Sequence, residues 1–171
     1  MVRAADRARG DLGVSATARL AGTQDAAAVA ELLVAFRDHF GMDFPPDEVF
    51  HRGVRHLLDD PETEYVLGYT DPTGDACGVV QLRFRYGIWR AGYDCLVEDV
   101  FVRDSARGHG VGRAMLAAAM ARARERGARR MELDVNEENP AAIALYESFG
   151  FRASSVGSTA RDLYMRVHLD P

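Results

Sequence analysis

Residues 100–116 read VFVRDSARGHGVGRAML: an apolar, strand-like run that passes through glycines at 108, 110 and 112 into a stretch of helix formers. Without a Cβ at those three positions the backbone can approach an anion closely. The unpaired N–H groups and dipole of a helix N-terminus would then point at it. Arg107 and Arg113 are placed to add charge-assisted bonds. Position 113 is Arg where a dinucleotide-binding turn has Gly, and no Gly-Lys-Ser/Thr follows, so the two commoner phosphate loops are excluded. The bare glycine spacing is equally that of a plain helix entry.

Working outward, the apolar run extends back to Tyr93 and the helix forward to about Arg126, where Gly127 stops it. Upstream, Gly78 to Tyr86 alternates Val80, Leu82, Phe84 and Tyr86 with Arg83 and Arg85. Tyr65 to Thr70 is a further strand, closed by the turn Asp71-Pro72-Thr73-Gly74. Val29, Leu32, Leu33 and Phe36 recur at helical spacing from about Asp25, the expected N-cap, to His39. A second helix spans Asp47 to Leu58, and a short strand starts at Thr17. Downstream, Met131 to Val135 alternates, Pro140 to Phe149 is helical and ends at Gly150, and Leu163 to Leu169 reads as a last strand. The order β, α, α, β, β, β, α, β, α, β describes one α/β domain over 17–171. Its mixed sheet is antiparallel at the front and parallel where the long helix crosses over. Residues 1–16 lack periodicity and read as a flexible tail.

With 171 residues, 47% apolar and 27% charged, the chain has room for one core of the usual ~100 to 150 residue size. The net charge of −5 argues against general nucleic-acid binding, which depends on a basic surface. All 21 basic residues are Arg. Cys77 and Cys95 form no metal-binding pattern and read as two buried, reduced thiols. No apolar run approaches a membrane span or a signal peptide, so the expected location is cytoplasmic, with no membrane or nucleic-acid partner.

The sequence resembles the GNAT acetyltransferases. Their signature, Arg or Gln, two residues, Gly, one residue, Gly or Ala, is matched by Arg107, Gly110 and Gly112. An apolar strand precedes it at Leu96 to Val102, and a later Asn is followed by Leu-Tyr and Gly-Phe, here Asn139, Leu145-Tyr146 and Gly150-Phe151. The resemblance implies a single-domain GNAT-like, mostly antiparallel twisted sheet flanked by helices, with acetyl-CoA as co-substrate and no metal. It implies that backbone groups of Val100, Phe101 and Val102 hold the pantetheine arm. The turn formed by Arg107, Gly108, His109, Gly110, Val111, Gly112 and Arg113 would hold the pyrophosphate. Asn139 corresponds to the family Asn near the pantetheine, although an Asn before Pro140 is also an ordinary helix cap. Tyr146 corresponds to the tyrosine that protonates the departing thiolate. A homodimer is consistent with the same resemblance.

Glu98 and Asp99 interrupt the apolar strand, and adjacent strand residues are expected on opposite faces. Glu98 is the expected general base, Asp99 a structural residue; the alternative for Glu98 is a carboxylate paired with Arg83 or Arg85. Phe84 to Trp89 followed by Leu96 to Val102 also resembles the diamine (spermidine/spermine) acetyltransferase branch, which would make Tyr86, Trp89 and Glu98 substrate contacts for a small cationic, polyamine-like amine. Residues 38–64 carry eight carboxylates against two arginines, either a rim that attracts cations or a solvated helix face. The Arg122 to Arg130 cluster reads as solvated charge near a helix C-terminus. Alternatives are a protein, peptide or aminoglycoside acceptor, or a catalytically silent acyl-CoA sensor.

Overall fold

The computed structural model describes residues 16–154, 157–161, 163–167 and 169. Nearly all of the expected tail lies outside them. Strand β1 (Thr17–Leu20) leads to α1 (Ala26–His39) and α2 (Asp47–Leu58). Strands β2 (Thr63–Tyr69), β3 (Gly78–Gly87) and β4 (Gly92–Val102) follow, then α3 (Val111–Glu125), β5 (Ala128–Glu132) and α4 (Pro140–Ser148). The sheet order is β1-β2-β3-β4-β5. The first three pairings are antiparallel, and β4 with β5 is parallel, as a helical crossover requires.

Period-two alternation splits the apolar residues between the two faces of the sheet. Val66, Val80, Leu82, Phe84, Cys95 and Val97 bury against α3 through Val111, Met115, Ala119 and Ala123. On the other face Tyr65, Leu67, Tyr69, Val79 and Phe101 bury against Val29, Leu32 and Leu33 of α1 and Val54 of α2. Each of the larger side chains, such as Val, Leu, Phe and Met, contributes about 1.5–3 kcal/mol of transfer free energy, so neither face tolerates a register slip. Gly68 and Gly78 let α3 approach: a Cβ on Gly68 would sit 2.6 Å from Val111 Cγ1 and 2.7 Å from Met115 Cγ.

Several expectations change. Asp25 does not cap α1 through its side chain. Its carboxylate instead takes the Gly22 N–H at 2.8 Å and the Arg19 guanidinium at 2.7 and 2.8 Å. Strand β5 begins at Ala128, directly after the positive-φ Gly127, rather than at Met131, because it pairs with Tyr93 to Leu96 at the start of β4. The arginine cluster is only partly solvated. Arg122 grips Glu64 with two 2.7 Å bonds, and Arg126 reaches the same carboxylate at 3.0 Å while lying 4.2 Å from the Phe84 ring centroid. Arg130 pairs with the buried Asp94 at 2.8 Å. Burial works to raise the pKa of Glu64, but the two arginines outweigh it and hold the carboxyl below its ordinary range. The described residues of the expected last strand make no ladder, and Leu163, Met165, Val167 and Leu169 are exposed. Cys95 is buried and Cys77 half-buried, both as thiols. No helix among the described residues is long and apolar enough to cross a membrane.

The glycine contacts give a paired test by thermal denaturation. Gly68→Ala is expected to lose about 1–3 kcal/mol by overpacking against α3. Gly53→Ala, in α2 with nothing within 4 Å of a new Cβ, is expected to gain about 0.5–1 kcal/mol from helix propensity.

Candidate active site

The site is organised by a place where two strands part. Strand β5 pairs with β4 only from Tyr93 to Leu96 and ends at Glu132, whereas β4 runs on to Val102 with β3 alone beside it. The Arg103 N–H donates to Cys77 O at 2.9 Å on the β3 side. By the alternation of an antiparallel ladder, Phe101 therefore turns its main chain toward β3, and Val100 and Val102 turn theirs toward the open edge. Of the three residues expected to offer backbone groups, two face that edge. Phe101 instead buries its ring, stacked 5.3 Å from Phe36.

The glycine turn lies at the end of this edge. Gly108 and Gly110 have φ of +80° and +82°, a left-handed conformation in which other residues are strained. Gly112 has ordinary dihedrals and serves packing: a Cβ there would meet Leu145 Cδ2 at 3.3 Å. The first helical bond of α3 runs from Ala114 N–H to Gly110 O at 3.0 Å, so the N–H groups of Val111, Gly112 and Arg113 have no helical acceptor. These N–H groups, with the helix dipole, could receive an anion as a cradle made of backbone. The arginines are engaged elsewhere. Arg107 donates to Val102 O at 3.2 Å, pairs with Asp104 at 3.0 Å and lies 3.3 Å from His39 Nε2. Arg113 bonds Ser148 Oγ at 3.2 Å and lies over Phe149. His109 Nδ1 sits 3.0 Å from Arg107 O. His39, on α1, also borders a cleft of about 320 Å3 with Phe101, Arg103, Asp104 and Ser105. No motif marked it, since it comes to the turn only through the packing of α1 on the sheet.

Glu98 occupies a β-bulge. Gln81 is opposite Asp99 and Leu82 is opposite Val97, so Glu98 is the unpaired extra residue. The bulge overturns the expectation that Glu98 and Asp99 face opposite ways. Asp99 shares a row with Gln81 and Tyr65, on the α1/α2 face. Glu98 is on that face too, accepting a 2.7 Å bond from Gln81 Nε2 and lying 3.8 Å from Arg83. Arg85 pairs instead with Glu132. Burial first, then the charges of Glu98 and Asp134, push Asp99 up to about 6.

Tyr146 is buried on α4, edge-on to Phe151, and burial together with the Asp134 charge raises its pKa. The phenol therefore stays protonated at neutral pH. Asn139 acts as the cap of α4, its side-chain oxygen accepting the Ala142 N–H at 3.1 Å. Tyr86 and Trp89 do not join the site. They stand at the β3–β4 tip, roughly 15 Å along the strand from Glu98. Tyr86 continues the α3-side alternation and packs on Tyr93, and Trp89 is 99% exposed. The acidic rim is thinner than its composition implies. Asp38 and Asp47 pair with Arg37, Asp60 accepts bonds from Glu62 N–H and Thr63, and Glu64 is held by Arg122 and Arg126.

The model of the acetyltransferase (GNAT) family matches residues 27–151. This chain belongs to the GNAT family. Among GNAT relatives, it is 29% identical over 158 residues to an aminoglycoside N(6′)-acetyltransferase type 1 of Stenotrophomonas maltophilia, covering 91% of this chain and 95% of that one. It is 35% identical over 108 residues to an L-methionine sulfoximine/L-methionine sulfone acetyltransferase of Pseudomonas aeruginosa, covering 57% of this chain and 63% of that relative, less than two thirds of its length. A solved structure from Arthrobacter sp. FB24, provisionally assigned as an acetyltransferase, superposes with a TM-score of 0.80 at 30% identity, covering 96% of this chain and all of the other.

The positive φ of Gly110 supplies a test of the GNAT turn. A Cβ there meets nothing closer than Ala16 Cβ at 3.9 Å, so Gly110→Ala adds backbone strain of about 1–2 kcal/mol without a clash. Calorimetric titration is expected to show coenzyme A binding weakened several-fold. Lower stability with unchanged affinity would detach the turn from anion binding.

Proposed function

We propose that the chain transfers the acetyl group of acetyl-CoA to the primary amine of a small cationic acceptor, by direct attack in a ternary complex. The observation that carries this reading is the parting of β4 and β5 beside the α3 N-terminus. It leaves the outward main-chain groups of Val100 and Val102 in line with an anion cradle. The cradle fits a pyrophosphate, and the open edge fits an extended amide-bearing arm that completes the ladder.

The acidic pair at the bulge supports an acceptor that arrives as an ammonium. One proton passes from the ammonium to a carboxylate of the Glu98–Asp99 pair, since only the neutral amine is nucleophilic. The C–N bond then forms as the C–S bond breaks, and strand N–H groups stabilise the oxyanion between. Tyr146 gives its hydroxyl proton to the departing thiolate and regains one from the acylated nitrogen. The carboxylate releases its proton to solvent, so the balance is one amide, one thiol and one proton. No covalent acyl-enzyme is needed.

The relatives with an aminoglycoside or an amino-acid analogue in their names support a small-molecule amine. A polyamine draws no support from Tyr86 and Trp89 where they stand. The decisive experiment is thiol release from acetyl-CoA across aminoglycosides, amino-acid analogues, diamines and a peptide α-amine. Saturable turnover on the small cationic amines is expected. Bound acetyl-CoA with no turnover on any acceptor would favour the sensor reading. Tyr146→Phe is expected to lower kcat by about 10²-fold, the usual scale for a general acid, with coenzyme A affinity unchanged.

A further inference from the structure

We propose that Asp99, rather than Glu98, accepts the ammonium proton, and that the hydroxyl of Tyr65 is its positioning partner through one bridging water. This rests on the acetyl-transfer reading above and assigns the proton within it. The two carboxylates share a face but differ in their commitments. Glu98 is bound by Gln81 at 2.7 Å and faced by Arg83 at 3.8 Å, and its side chain is 44% exposed. Asp99 has no hydrogen-bond or ion-pair partner among the described residues.

The second observation is Tyr65. It is 0% exposed, among the largest fully buried side chains, and its hydroxyl is a buried polar atom with no partner among the described residues. A buried hydroxyl left unpaired costs about 1–3 kcal/mol, so a water there is expected where the surroundings are polar. Tyr65, Gln81 and Asp99 lie in one cross-strand row. Two strand spacings, about 9.5 Å between backbones, separate the tyrosine from the aspartate on one face of the sheet, near enough for the Asp99 charge to act on the phenol. The water would receive the Tyr65 hydroxyl proton in a hydrogen bond and donate to the Asp99 carboxylate, its remaining positions turned to the incoming amine.

The electrostatics agree with the geometry. Burial, then the Asp99 and Glu98 charges, raise the pKa of Tyr65, as expected of a phenol facing carboxylates. Burial, Glu98 and Asp134 place Asp99 close to the working pH of a general base. The charged groups facing this corner are Glu98, Arg83 and Asp134, the last lying 3.6 Å from Arg166. Glu98 therefore acts on Asp99 as a like charge that raises its proton affinity and helps attract the cation.

The test is kcat/KM against pH for the full chain, using the best acceptor from the panel, with acetyl-CoA affinity and thermal stability measured alongside. The wild type is expected to lose activity as pH falls through about 6. That limb lies below the acceptor's own ionisation, at ~10 for an alkylamine and ~8 for an α-amine. Asp99→Asn should lower kcat/KM by about 10²-fold or more and abolish the limb. Glu98→Gln should keep the limb and move it to lower pH, because a like charge is gone. Tyr65→Phe should move it to higher pH, because a donor to the charged carboxylate is gone, with activity restored on the alkaline side. A limb that survives Asp99→Asn, or disappears in Glu98→Gln, overturns the assignment. A limb unmoved by Tyr65→Phe removes Tyr65 from it whatever happens to stability. Should Asp99→Asn fail to fold, the opposite shifts of the other two variants decide. A wild type that binds acetyl-CoA without turnover overturns acetyl transfer itself, an outcome distinct from a wild type that turns over with the limb assigned to Glu98.

Discussion

The structure turns on an unfinished ladder. Beyond Leu96 the outer edge of β4 has lost β5, and a strand edge inside a domain presents backbone donors and acceptors that need partners. One is taken up locally, by Arg107 Nε on Val102 O. The rest of the edge offers donors and acceptors at strand spacing, which on our proposal meet the amide groups of an extended ligand. The loss of strand pairing and the gain of a binding surface are one event. Its extent is set by where β5 ends, at Glu132, relative to where β4 ends, at Val102.

Keeping such a gap open needs rigid walls. The two buried clusters on opposite faces of the sheet provide them, and they do so with different chemistry. The α3 face relies on close approach, with Gly68 and Gly78 beneath Met115 and the Arg122–Glu64–Arg126 group fixing the far end of the helix. That ion group joins the C-terminal half of α3 to β2, so the helix N-terminus with its unpaired N–H groups is aimed by contacts some three turns away. The α1/α2 face relies on larger side chains, and at its border the row Tyr65–Gln81–Asp99 brings polar atoms to the edge of an apolar cluster.

Most of the fold was legible in the sequence because most of it follows from period. Helices at 26–39 and 47–58 and strands at 78–87 and 92–102 follow apolar spacing directly. The glycine turn was legible from its residues as a strand-to-helix entry, and only the family resemblance gave it a ligand. The failures have a common cause, in that a pattern states what an element would bury without stating what it pairs with. Ala128-Arg129-Arg130 carries no strand signal, yet it pairs with β4 because Gly127 delivers it there. Leu163 to Leu169 alternates well, and its described residues make no ladder. Trp89 and Tyr86 lie close to Glu98 in sequence pattern but stand at the far end of a long hairpin. The bulge at Glu98 was hidden for a similar reason, since one inserted residue leaves the apolar alternation on either side intact while reversing the face of everything beyond it.

That reversal has an energetic consequence. A regular strand would have divided the two carboxylates, placing one on each face and leaving each to be neutralised by its own surroundings. The bulge sets them side by side, and a pair of like charges at the border of an apolar cluster cannot both be ionised at low cost. The strain is relieved unequally. Glu98 is exposed and has Gln81 and Arg83 to stabilise its charge, so the proton affinity accumulates on Asp99. A single extra residue in one strand thereby leaves Asp99, pushed up to about 6, able to exchange a proton near neutrality, at the point where on our proposal an ammonium loses one.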